Sequence, residues 1–226
     1  YFLSKKNLGY GCANNKIFKI AKTRFVFIIN PDTKLKKNCI KNLIKNANKI
    51  REDFAIIAPI CSKKNYGFFK KEIPCKIKFT NLIQVDWVQG FAMLTNVSRL
   101  KKINFFDKNI FLYLEEIDLC KRLLQNNERI LVSKNSQIMH LSAKSSNIGF
   151  EFDKCRNWHY MWSKFYYYKK HYSYFRGLKE TASNLVKSLF KTFIYFLLNN
   201  SKYIIYKNRL SGLLNSYLNK KSWNRP

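Results

Sequence analysis

The sequence predicts an α/β protein: a mostly parallel sheet flanked by helices, followed by a helical C-terminal extension. Three observations predict it. A strand, a helix and a second strand succeed one another between residues 24 and 60, the order of a βαβ unit. Short apolar runs broken by glycine or turn residues recur up to about residue 141. Beyond about Phe152 the chain becomes aromatic, basic and helical to its end.

Taken in order, Arg24 to Asn30 (RFVFIIN) is an apolar run stopped by Asn30-Pro31-Asp32, and reads as a buried strand ending in a turn. From Thr33 to Arg51, Leu35, Cys39, Ile40, Leu43, Ile44, Ala47 and Ile50 form one helical stripe. Phe54 to Ile60 is a second buried strand. Residues 62–84 are basic and irregular, a loop with a weak strand. Val85 to Val97 reads as a strand broken at Gly90. Glu115 to Asn126 places Ile117, Leu119, Cys120, Leu123 and Leu124 at helical spacing. Arg129–Ser133 and Gln137–Leu141 read as two short strands. The division expected is an α/β domain over 1–150 and a helical, aromatic and basic region over 151–226, with no repeat and no glycine-rich linker between them.

With 46% hydrophobic and 16% aromatic residues, the 226-residue chain is folded and large enough for one sizeable core. Its 43 Lys and Arg against 13 Asp and Glu give a net charge of +30. Lys, Asn, Ile, Phe and Tyr are abundant together, as AT-rich coding produces, so many lysines read as a solvated face. The functional reading is attraction to phosphates of a nucleotide-sugar, a nucleic acid or anionic lipid headgroups. Six cysteines, at 12, 39, 61, 75, 120 and 155, form no C-x-x-C pair. That excludes a zinc ribbon and fits reduced thiols in a cytosolic protein. The chain opens at Tyr1 without methionine, which reads as a missing N-terminal piece.

Acidic residues are scarce, yet Glu115, Glu116 and Asp118 fall within four positions. Crowded carboxylates raise one another's pKa, so the crowding reads as a general base or a cation site. Capping of a helix N-terminus accounts for one or two of the three. The aromatic residues Phe105, Phe106, Phe111 and Tyr113 that precede them would wall a pocket. Asn30-Pro31-Asp32 sits at the carboxyl end of a strand, where open α/β sheets hold ligands, although by itself it reads as a turn. His140 by itself reads as a core residue. Carboxylate, imidazole and diphosphate oxygens together would suit Mn²⁺ or Mg²⁺. The segment Asn7 to Asn15 (NLGYGCANN) reads as a loop permitting close backbone approach, not as a dinucleotide fingerprint.

The order of these motifs resembles the family 2 glycosyltransferases of the GT-A fold, close to their rhamnosyltransferase-like branch. An N-x-G-x-x-x-A-N-type loop, a strand ending in N-P-D, a W-V-x-G-x-x-M-L segment (Trp87 to Leu94), the acidic block Phe106 to Leu123 and an isolated histidine followed by serines cover residues 5–150 in sequence. The resemblance implies an inverting transfer from a nucleotide-sugar to a glycan or lipid-linked acceptor. It implies Asp32 and His140 at a Mn²⁺ or Mg²⁺ ion and Glu116, or else Glu115, as general base. It further implies Asn7, Gly9, Asn14, Asn30 and Gly90 around the donor, and Trp87, Asp118 and Arg122 toward the acceptor. Trp87 reads equally as a core aromatic. The family commonly has aspartate where Glu116 stands, and its first strand and base-binding loop would precede residue 1.

In the last third, Leu185 to Leu198 (LVKSLFKTFIYFLL) is the most apolar stretch, with Lys187 and Lys191 inside it. Fourteen residues are too few to span a bilayer. Apolar, aromatic and lysine residues together read as a helix lying on an anionic membrane, hence a cytoplasmic protein peripheral on the inner face of the plasma membrane. Nucleic acid is not the expected partner, because no reader module is present and the acidic cluster would repel phosphates. The charge and the run Tyr166 to His171 keep a nucleic-acid-binding protein as the alternative, beside a catalytically inactive transferase relative.

Overall fold

The computed structural model describes residues 3–61, 81–141 and 149–224. Most of the basic loop expected over 62–84, Cys75 and the serines after His140 lie outside these residues. The chain forms two compact units, one of Asn14–Asp107 and Glu116–Asn147, the other of Tyr1–Ala13, Lys108–Glu115 and Ile148–Pro226.

The first helix, α1 (Tyr10–Ile20), begins inside the segment expected to be a loop. Asn7 Oδ1 accepts the Gly9 N–H (3.0 Å) and the Gly9 carbonyl accepts the Ala13 N–H (3.0 Å), so the turn feeds straight into the helix. Elements of the first unit then follow: β1 (Phe25–Ile29), β2 (Thr33–Leu35), α2 (Cys39–Lys49), β3 (Ile56–Cys61), β4 (Leu82–Gln84), β5 (Ala92–Asn96), α3 (Val97–Lys102), α4 (Glu115–Gln125) and β6 (Ile130–His140).

The six-stranded sheet runs β1-β5-β3-β6-β2, with β4 also on β6. The fold is α/β, but the sheet is mixed: β3–β6 is the parallel pair, and β1–β5, β3–β5, β2–β6 and β4–β6 are antiparallel. β1 and β3 do point the same way, as strand–helix–strand order predicts. What that order could not show is β5 inserted between them, antiparallel to both. All five β5 residues are buried, as are five of six in β3, which is why both read as continuous apolar runs. The two strands expected at 129–133 and 137–141 are one strand, β6, whose register against β3 shifts between Pro59 and Ile60, so that Ser133 and Gln137 become successive partners.

The stripe expected over 33–51 closes one sheet face along α2, although Leu35 falls in strand β2 and Ile40 is exposed. Cys39, Leu43, Ala47 and Ile50 pack on Phe54, Ile57, Leu94 and Leu131. Leu43 is wholly buried, so its truncation to alanine would cost about 2–5 kcal/mol.

The second unit contains α5 (Gly149–His171), α6 (Tyr174–Leu197) and α7 (Lys202–Tyr217). Ser173 caps α6 by accepting the Arg176 N–H at 3.0 Å. Met161, Phe165 and Leu213 form its core, joined by Leu178, Leu185 and Tyr217. The α5–α7 contact is close enough that a side chain at Gly212 would strike the Trp158 carbonyl. No described helix is long and apolar enough to cross a membrane.

Candidate active site

Asp32 is placed by backbone. The Asn30 N–H donates to the Phe91 carbonyl (2.8 Å), and Thr33 Oγ1 donates to the Asn30 carbonyl (2.6 Å). Thr33 then pairs with His140 in the β2–β6 register, and the Leu141 N–H donates to the Asp32 carbonyl (2.8 Å). Two residues 108 positions apart in sequence are thus brought side by side, with His140 Nε2 3.2 Å from Asp32 Oδ2. The Phe91 ring stacks on the imidazole at 4.4 Å and 7°.

Asp32 is 8% exposed, and its Oδ1 is buried without a hydrogen-bond partner among the described residues. An orphaned carboxylate oxygen costs its desolvation, and a hard divalent cation would satisfy it. An oxygen and an imidazole nitrogen are suitable donors for Mn²⁺ or Mg²⁺. Among the described residues no cluster of three or more such side chains forms. Diphosphate oxygens and water commonly fill the remaining positions around a bound Mg²⁺.

A second group forms on α4. Glu116 is half-buried in its first turn. Desolvation pushes its carboxyl above the ordinary value of 4.5, against the opposing pull of its own backbone N–H and that of Ile117. One turn on, the Cys120 thiol is wholly buried and raised to about 12, first by burial and then by the charges of Glu116 and Asp86, while the Val88 N–H bonds its sulfur. It is therefore inert. Those influences put Asp86 and Glu116 around one thiol. Asp86 was not singled out in the sequence, because one acid inside VDWVQG has no partner at a telling spacing.

The segment 86–91 joins the two groups: Asp86 and Val88 act on Cys120 beside Glu116, and Phe91 covers His140 and holds Asn30. Val88 and Phe91 are three residues apart, at most about 11 Å along the chain.

Glu115 is 6% exposed, so Glu116 is the more accessible carboxylate of the pair. Asp118, expected toward the acceptor, is fully buried and bonded by Arg122 Nε at 2.8 Å; Arg122 Nη1 also donates to the Ile103 carbonyl at 2.7 Å. The i,i+4 spacing made them an intrahelical ion pair, which anchors α4. Trp87 and Gly90 are half-buried in the joining segment. Asn7 and Gly9 belong to the helical unit and Asn14 to the α/β unit. Gly9 has φ +76° and a side chain there would meet the Phe111 carbonyl, so packing against the backbone explains this glycine. Asn15, not singled out, clamps the Phe106 backbone from both sides: Nδ2 donates to its carbonyl (2.8 Å) and Oδ1 accepts its N–H (2.9 Å).

Residues 1–119 match the family described as Glycosyl transferase family 2. The rhamnosyltransferase WbbL of Escherichia coli (strain K12) is 26% identical over 186 residues, 70% of this chain and 69% of that protein. GalNAc-T7, solved with UDP, GalNAc and Mn²⁺, matches with a TM-score of 0.52 at 11% identity, over 82% of this chain and 45% of its own. The mannosyltransferase PcManGT from Pyrobaculum calidifontis, solved with GDP-Man and Mn²⁺, matches with a TM-score of 0.50 at 10% identity, over 96% and 68%. At these identities the two structures show a shared GT-A fold.

Proposed function

Because the chain belongs to glycosyl transferase family 2 and is a glycosyltransferase, we propose that it moves a sugar from a nucleotide-sugar donor to a glycan or lipid-linked acceptor, inverting the anomeric carbon. The observation that carries this reading is the 3.2 Å approach of Asp32 to His140, with one short segment linking that pair to Glu116.

Asp32 and His140 would hold Mn²⁺ or Mg²⁺ against the donor diphosphate. The metal, when bound, neutralises charge on the departing nucleoside diphosphate. Phe91 fixes the imidazole plane by stacking. Glu116 takes the acceptor hydroxyl proton as the oxygen forms its bond to the anomeric carbon and the carbon–phosphate-oxygen bond breaks on the opposite face. Desolvation suits Glu116 to this task, since a raised pKa makes a stronger base. Glu115, the first residue of α4, is buried. In this reading Asn30 and Gly90 would face the donor and Trp87 the acceptor.

The test is a thermal-shift series with nucleoside diphosphates and nucleotide-sugars, with and without Mn²⁺. A metal-dependent rise in melting temperature for wild type, lost in Asp32→Asn, is expected. No rise with any nucleotide, or an equal rise in Asp32→Asn, overturns the reading.

The protein is further read as peripheral on the cytoplasmic face of an anionic membrane. The support is the outward face of α6: Val186, Leu189, Phe190, Phe193 and Leu197 are 50–66% exposed, and the chain that carries them has a net charge of +30.

A further inference from the structure

The helical unit contains a cleft of about 440 Å³ lined by Tyr113, Asp153, Arg156, Asn157, Tyr160 and Ile205. That volume lies in the range of small-ligand sites. Four of the six come from α5 at positions i, i+3, i+4 and i+7, which is one face of a helix. Tyr113 and Ile205 of α7 complete the wall.

The lining combines rings with charged and amide groups. The Tyr113 and Tyr160 rings meet edge to face at 5.7 Å and 86°. Arg156 Nε donates to Tyr113 Oη at 2.9 Å, and its Nη1 is 3.5 Å from Asp153 Oδ1. Asn157 Nδ2 donates to the Asp153 backbone carbonyl at 2.8 Å. Tyr160 remains 41% exposed. An aromatic ring left accessible beside a carboxylate, a guanidinium and an amide matches one ligand chemistry well. A pyranose has a C–H face that packs on a ring, and a rim of hydroxyls that need both donors and acceptors. A nucleoside diphosphate fits less well, because Asp153 would repel its phosphates. A lipid tail fits less well because five of the six lining residues carry charged, amide or hydroxyl groups.

The backbone at Tyr113 adds a second, independent observation. Tyr113 and Leu114 both have left-handed φ, +68° and +67°. Consecutive non-glycine residues there cost on the order of 1–3 kcal/mol each and persist where surrounding contacts enforce them. The Arg156 bond to the Tyr113 phenol is such a contact. The strained pair stands directly before Glu115 and Glu116, so one wall of the cleft is continuous in the chain with the carboxylate pair.

We propose that this cleft is a carbohydrate subsite that grips a pyranose of the acceptor. Its assignment to the acceptor rests on the transferase reading; its affinity for a pyranose does not.

Saturation-transfer NMR on the full chain, with the methyl glycosides of glucose, galactose, rhamnose and N-acetylglucosamine as probes, tests it. Ring protons of at least one glycoside should be saturated. The signal should fall at least fivefold in Tyr160→Ala and in Arg156→Ala and survive in Tyr160→Phe, which keeps the ring. Because Tyr160 is 41% exposed, the melting temperature of its variants should change little, and the phenylalanine variant separates lost contact from lost fold. Saturation of none of the four glycosides, or an undiminished signal in Tyr160→Ala, overturns the proposal. Running the nucleoside diphosphate and Mn²⁺ melting series on the same samples separates the two readings. A metal-dependent shift without glycoside saturation removes the cleft alone; saturation without the shift removes the transferase mechanism and leaves a sugar-binding cleft.

Discussion

At Glu116 chemistry and stability pull in opposite directions. Burial raises its pKa, so the folded state holds the proton more tightly than the unfolded state. Stability from that proton is complete below the ordinary glutamate value and drains away as pH rises toward the raised folded value. Glu116→Gln removes the drain. The variant should lose about 10²–10⁴-fold in turnover, while its melting temperature relative to wild type should be higher at pH 8 than at pH 4. For wild type, kcat should rise with pH through a midpoint above 4.5. Melting curves that keep the same offset at both pH values would remove the buried-base argument. Asp32 and His140 were legible in the sequence because a strand end and a lone imidazole are recognisable as types. Their contact was legible only through the family resemblance, since from the residues alone it depends on the β2–β6 register. Asp118 shows the opposite failure. Its spacing to Arg122 was visible, but the complete burial that makes the pair structural depends on tertiary packing.

At the scale of elements, β6 carries the site because a polar network maintains its irregular middle. Asn46 of α2, 5% exposed, donates through Nδ2 to Ser133 Oγ (2.9 Å) and Asn135 Oδ1 (2.8 Å). Ser133 Oγ lies 2.6 Å from Ser136 Oγ, and Asn42 Nδ2 donates to the Asn135 carbonyl at 2.5 Å. This network spans the register shift that made one strand read as two. Polar residues 133–137 broke the apolar pattern, and nothing local revealed that α2 would satisfy them. Asn46→Ala should remove two hydrogen bonds from this network and cost roughly 1–3 kcal/mol, lowering the melting temperature by several degrees. Because β6 ends at His140, the variant should also weaken the metal-dependent nucleotide shift. In the helical unit, Gly212→Ala should be costlier than an ordinary surface change, since the added methyl meets Trp158 backbone that cannot rotate away. Urea melts of both variants decide the matter; a Gly212→Ala midpoint equal to wild type would mean α7 shifts freely on α5. The three helices themselves were readable from composition, but the seat of this glycine was not.

Over the whole molecule, charge and apolar surface combine into one argument about place. An ordinary surface helix buries its apolar face. In α6 the buried positions include Gly177, Thr181 and Ser188, while Val186, Leu189, Phe190, Phe193 and Leu197 face outward. Scattered exposed hydrophobes need no explanation, but a contiguous stripe about 17 Å long does. Lys187 stands among them, and 43 basic residues would draw the chain to anionic lipid. Apolar insertion and electrostatic attraction then contribute separately, and salt distinguishes them. The full chain should sediment with vesicles containing one-third phosphatidylglycerol at 50 mM salt and be largely released at 500 mM. It should ignore vesicles of phosphatidylcholine alone. Replacing Phe190 and Phe193 together by glutamate should abolish sedimentation at low salt without lowering the melting temperature, because those rings are 65% and 61% exposed and contribute little to the fold. Sedimentation that survives the double substitution would assign binding to charge alone and leave the apolar face without a partner. Loss of binding together with loss of fold would show that the stripe belongs to the core of an assembly instead of a membrane.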